Sequence, residues 1–156
     1  MTWYEDLSQC DYFGLVDESR LFAVGWLERG GSFPTGKLEE LYVARLVELA
    51  ANPWQPVRFL GYHDCDLCAV SEGPTNFERD GHQVSIGASN LFLPAPKVGV
   101  LVAPTLVLHY IHEHEYRPPD EFLEAVRDCP PMGSESYLDA IRRAGGDGVM
   151  LMKRTH

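Results

Sequence analysis

The feature that most restricts the fold is a pair of cysteines three residues apart, in Cys65-Asp66-Leu67-Cys68, preceded by His63 and matched far downstream by His109, His112 and His114. Two thiolates at this spacing sit on one tight turn whose amides can hydrogen-bond the sulfurs, and they suit a zinc ion with sulfur bonds of about 2.3 Å. Zinc takes four ligands, so the turn alone does not complete the site and the fold has to bring distant residues to it. His63 stands two residues before Cys65 and shares its face on an extended chain. His109 and His112 are three apart, hence neighbours on one face of a helix, whereas His114 falls off that face or beyond the helix end. The expected ligands are Cys65, Cys68 and His109, with His63 as the fourth and His112 or a water as substitutes. Zn2+ is the expected metal; iron accepts the same donors.

Two other chemistries compete for these residues. An open fourth position would let zinc activate water, with Glu113 or His112 moving protons, and would make the chain a metal-dependent enzyme. A strand running into Cys-x-x-Cys, with Pro104-Thr105 later, is similar to thioredoxin and suggests thiol–disulfide exchange through Cys65 and Cys68. That likeness breaks at Ser71-Glu72-Gly73-Pro74, which stops the long helix a thioredoxin places after its second cysteine. A zinc ribbon would need a second Cys-x-x-Cys, and His109-x-x-His112-Glu113-His114 matches neither metallopeptidase order. Asp64 and Asp66 make this a polar place for merely packed thiols. Cys10 could reach a metal but reads more simply as packed, and Cys129, before Pro130-Pro131, reads as structural. His82 and His156 read as solvated, and Arg45, on an apolar helical stripe, is expected to snorkel or pair.

Composition limits the partners. Thirteen basic against twenty-three acidic residues leave a formal charge of −10, which repels phosphate backbones and anionic bilayers. Nucleic acid and membrane surfaces are therefore not expected partners; a protein or a small-molecule ligand is. The apolar runs are far shorter than the roughly 20 residues that span a bilayer. The N-terminal residues show neither a basic nor an apolar leader region, so the expected compartment is the cytoplasm. With 156 residues, 45% of them hydrophobic, the chain is sized for one domain over 1–156.

Apolar periodicity places a hairpin over 11–27, an amphipathic helix over 37–51, and short strands at 57–62, 83–86, 90–93 and 98–102. Helices follow over about 104–113, 118–129 and 134–145, and Val149–Met152 is read as a last strand. Strands first and helices last point to a single α+β domain: an antiparallel sheet of short strands packed by about four helices.

Several motifs together resemble a family of small, uncharacterised bacterial proteins. They are Trp3-Tyr4-Glu5-Asp6-Leu7-Ser8, Ala23-Val24-Gly25-Trp26-Leu27, Gly61-Tyr62-His63-Asp64-Cys65-Asp66-Leu67-Cys68, Asn90-Leu91-Phe92-Leu93-Pro94, and His109-Tyr110-Ile111 with His114-x-Tyr116-x-Pro118-Pro119-x-x-Phe122. The resemblance implies a bacterial, single-domain protein, names no substrate, and raises His114 as a functional candidate beside His109. The function expected is metal binding, with a structural Cys/His site that joins the 63–68 loop to the 104–114 helix and supports recognition of a partner or ligand.

Overall fold

The computed structural model describes residues 3–15, 17–56, 64–68 and 76–154, with α-helix as the only feature given for the last four of these. Its centre is made by two apolar runs that fold back on each other. Strand β4 (Asn90–Ala95) and strand β5 (Gly99–Pro104) pair antiparallel, from Asn90 opposite Pro104 to Ala95 opposite Gly99. Strand β1 (Leu21–Ala23) lies on the other edge of β5 in parallel register, Leu21 opposite Val100 and Ala23 opposite Val102. The sheet is therefore mixed, with β5 in the middle. Every residue of β5 is buried, as a continuous apolar run covered on both faces should be. Gly99 permits the close approach of β1: at its φ of 148°, a Cβ would stand 2.6 Å from the Arg20 carbonyl oxygen.

A separate hairpin joins strand β2 (Asn76–Arg79) to strand β3 (His82–Ser85). Asp80 and Gly81, at φ 51° and 79°, form its two-residue turn, which needs positive φ at both positions. Strand β2 is not among those that apolar periodicity places; the Asp80-Gly81 pair is its local sequence signal.

Five helices occur among the described residues: α1 (Glu40–Ala50), α2 (Val107–His114), α3 (Asp120–Asp128), α4 (Glu135–Arg143) and α5 (Asp147–Arg154). Helix α1 buries Leu46, Val47, Leu49 and Ala50. Its Arg45 reaches over the core edge to donate to the Cys129 carbonyl at 2.6 Å and pairs with Glu48 at 3.0 Å, so it pairs as expected. Helix α4 starts at Ser134, whose Oγ accepts the Tyr137 N–H at 3.1 Å and satisfies one of the orphan donors of the first turn. The core between sheet and helices holds Trp26, Phe92, Tyr110, Tyr116, Phe122 and Tyr137, all fully buried.

The mixed α+β class agrees with the sequence reading, and two details differ. The first hairpin is displaced: residues 7–10, not those from 11 onward that are described, run beside β1, with Cys10 N–H donating to the Leu21 carbonyl and Ala23 N–H to the Ser8 carbonyl. The run Val149–Met152 belongs to helix α5, because four apolar residues fit either period and the chain has already turned helical at Asp147. The strand expected over 57–62 lies outside the described residues.

Candidate metal centre

Helix α2 follows β5 with only two residues between them, and its position is set at both ends. At the start, Thr105 Oγ1 donates to the carbonyls of Ser85 and Ser89 at 2.9 and 3.1 Å. Val107 then packs on Gly25, whose φ is 75° and where a Cβ would lie 2.8 Å from Val107 Cγ2; only glycine fits. At the end, Glu115 takes the left-handed conformation (φ 55°) and its N–H caps the Tyr110 carbonyl. Tyr116, next along, donates its hydroxyl to half-buried Asp6 at 2.8 Å, while Asp6 also accepts the Gly25 N–H at 3.0 Å. Burial, the largest influence, raises the Asp6 pKa above the ordinary carboxylate value.

This anchored helix presents His109 and His114 to the Cys65–Cys68 turn. His109 Nε2 stands 3.2 Å from Cys68 Sγ, and His114 Nε2 stands 3.4 Å from Cys65 Sγ and 3.5 Å from Cys68 Sγ. All four ligand atoms lie within 4.8 Å of one another. Around a tetrahedral ion with sulfur at about 2.3 Å and nitrogen at about 2.0–2.1 Å, each sulfur-to-nitrogen edge is about 3.5 Å. The observed separations match those edges. Cys65 and His109 are buried, and Cys68 and His114 are partly so.

Electrostatics favours neutral groups here before a metal loads. Burial lowers the His109 pKa, with His114 adding to the effect, so the imidazole is held in its neutral, ligating form. Burial pushes the Cys65 thiol up to about 11; a cation is what would draw its proton off. Arg29 braces the turn from outside, its Nε donating to the Asp66 carbonyl at 2.9 Å and its Nη2 to the Cys68 carbonyl at 3.2 Å. Nothing in the sequence singled out Arg29; it comes from a loop far from both halves of the site.

Three of the expected positions, Cys65, Cys68 and His109, are in the cluster. His63, expected as the fourth ligand, lies outside the described residues. His114 joins the cluster although a spacing of five sets it off the His109 face. That spacing rule concerns Cβ atoms, whereas both imidazoles reach the sulfurs with Nε2, the far side of the ring. Side chains also lean toward a helix N-terminus, so the ring of the last residue tips back over the preceding turn; its centroid is 5.2 Å from that of His109. His112 points elsewhere, edge-on to Phe77 at 5.5 Å and 3.5 Å from Glu113, and both His112 and Glu113 are exposed. Cys10 and Cys129 are buried, outside the cluster, with pKa values raised by burial to about 11. His82 lies exposed on β3, and His156 is outside the described residues.

The stripe of α2 turned away from the cluster, Leu108, Ile111 and His112, lines a cleft of about 480 Å³ with Val43, Phe77 and Arg79. No described helix is long and apolar enough to cross a membrane.

A domain of unknown function (DUF7919) matches residues 2–127. The chain belongs to this family. The matched region contains all four clustered side chains, Arg29 and the whole of α2, and it ends before α4 and α5. No curated protein and no solved structure matches the chain.

Proposed function

We propose that Cys65, Cys68, His109 and His114 bind one zinc ion as a closed structural site, which ties the 64–68 turn to the last two turns of α2 and holds that helix rigid for recognition of a partner or small ligand. The observation that carries this reading is the set of three sulfur–nitrogen separations, 3.2, 3.4 and 3.5 Å, each close to the edge of a zinc tetrahedron. Two thiolates and two neutral imidazoles balance a divalent cation, so the site is electrically neutral when loaded. That balance suits burial. Zinc is preferred to iron because a four-coordinate sulfur and nitrogen set is its usual structural environment.

Four protein donors leave no position for an activated water, and Glu113 pairs with His112 on the exposed side of the helix instead of facing the sulfurs. The enzymatic reading thus has less support than the structural one. Thiol–disulfide exchange draws on the same two cysteines, but a Cys65 thiol raised to about 11 is poorly ionised and a weak nucleophile at neutral pH. For recognition, the cleft on the other stripe of α2 offers a concave surface, and its size is within the range of small-molecule sites.

Elemental analysis by inductively coupled plasma mass spectrometry on untagged protein tests the site. One zinc per chain is expected, falling to near zero in Cys65→Ser and His109→Ala. Less than about 0.2 metal per chain in unchelated wild-type protein overturns the proposal.

A further inference from the structure

The motif Trp3-Tyr4-Glu5-Asp6 gives only Asp6 to the anchoring of α2, yet all four of its side chains line one cavity of about 200 Å³. Three walls of that cavity are aromatic, Trp3, Tyr4 and Phe33, and both charged side chains of its lining, Glu5 and Asp6, are acidic. None of the four clustered metal ligands reaches it. The walls are built on the core. Tyr4 donates its N–H to the Trp26 carbonyl at 3.2 Å, and its ring stands edge-on to the buried Trp26 ring, with centroids 5.4 Å apart. Phe33 stands edge-on to buried Tyr116 at 6.0 Å, and the Pro34 carbonyl accepts the Arg117 N–H at 3.0 Å. Trp3, by contrast, is 45% exposed. A lone exposed indole is ordinary, but one that walls a concave site beside two other rings is open to a ligand.

The lining is chemically one-sided. The Tyr4 hydroxyl is turned to Asp11, to which it donates at 2.7 Å, and Ser32 carries the only other hydroxyl of the lining. A sugar, which needs donors and acceptors together, finds few donors here, and an anion meets two carboxylates. Ring faces and negative charge instead attract a cation whose own surface is apolar. A bare ammonium is strongly hydrated and gives up that water at a cost, whereas methyl groups around the nitrogen pack directly on the rings. A volume below the roughly 300–1,000 Å³ of ordinary ligand sites restricts the occupant to a compact head group. We propose that this cavity binds a small trimethylammonium compound of the choline type, with Trp3, Tyr4 and Phe33 against its methyl groups and Glu5 and Asp6 opposing its charge.

The test titrates choline chloride into the full chain at constant ionic strength and follows the Trp3 indole N–H in nitrogen–proton correlation spectra. A saturable shift with a dissociation constant of about 1 mM or lower is expected. Two analogues divide the contributions: 3,3-dimethylbutan-1-ol has the shape of choline without its charge, and ethanolamine has the charge without the methyl groups. Each should bind at least about tenfold more weakly than choline. Trp3→Ala should weaken choline binding about tenfold, measured by calorimetry since the indole reporter is gone. Glu5→Gln should weaken it about fivefold, the effect of one exposed charge at close range. Both side chains are exposed, so neither variant should shift the melting midpoint; should Trp3→Ala misfold, Glu5→Gln with the two analogues still decides. The absence of a saturable shift in wild type, equal binding of the uncharged analogue, or unchanged affinity in a folded Trp3→Ala overturns the proposal. These readouts need no metal, so a chain that binds no zinc refutes the metal-binding reading while leaving this site to stand or fall on choline alone.

Discussion

Replacing His114 by alanine separates the site seen in the tertiary structure from the one that helix spacing suggests. His114 Nε2 faces both sulfurs, at 3.4 and 3.5 Å, whereas His112 lies on Phe77, away from them. Zinc at a thousand times its dissociation constant stabilises a protein that binds it only when folded by about 4.1 kcal/mol. The unfolding entropy at the midpoint is about 2.1 cal/mol/K per residue, so for 156 residues it is about 0.33 kcal/mol/K and zinc should raise the melting midpoint by about 12 °C. Partners that only touch metal ligands contribute up to about a hundredfold in affinity, so losing a ligand should cost at least that much, about 2.8 kcal/mol. His114→Ala should therefore shrink the zinc-dependent shift to about 4 °C or less, while His112→Ala keeps the full shift. The assay is differential scanning calorimetry with and without chelator, at one free zinc concentration buffered for all variants. The reasoning is refuted if His112→Ala loses the shift and His114→Ala retains it, or if both retain it.

Three other perturbations address what supports the site. Arg29→Ala removes two hydrogen bonds to the carbonyls of the Cys65–Cys68 turn and should weaken zinc binding about tenfold in chelator competition; Arg29→Lys, which cannot make the same forked contact, should recover only part of it. Gly25→Ala puts a methyl 2.8 Å from Val107 Cγ2 on a left-handed backbone and should destabilise by about 1–3 kcal/mol in urea unfolding, with a matching loss of zinc affinity because Val107 begins α2. The raised pKa of Asp6 means that the folded state binds its proton more tightly than the unfolded state. The stability linked to this group is therefore greatest below the unfolded pKa of about 3.9 and is lost as pH rises through the folded value. In metal-free protein, urea unfolding of Asp6→Asn should show a smaller decline over that interval than wild type; an identical pH profile would remove Asp6 as its source.

The sequence carried the chemistry further than the architecture. Cys65, Cys68 and His109 were legible as candidate ligands because metal ligation requires particular side chains, and their types and local spacing are written directly in the chain. The strands at 90–93 and 98–102 and helices α1, α3 and α4 were legible for a related reason: apolar period, proline and caps act over a few residues. Where the local signal was two-sided it failed, as at Val149–Met152, whose four apolar residues fit a strand or a helix until α5 is seen to start at Asp147. The parallel placement of β1 on β5 was not legible either, since a three-residue strand has no pattern that names its neighbour.

The sequence by itself determined that the domain is mixed α+β and that thiol and imidazole donors are available for one metal. The tertiary structure decided that His114 joins the cluster and that Arg29 braces the turn. The division has a physical cause: donor type and helical period are local properties of the chain, whereas the meeting of ring nitrogens with sulfurs depends on where α2 is anchored. That anchoring is set by Gly25, Asp6 and Tyr116, residues distant in sequence from the cysteines.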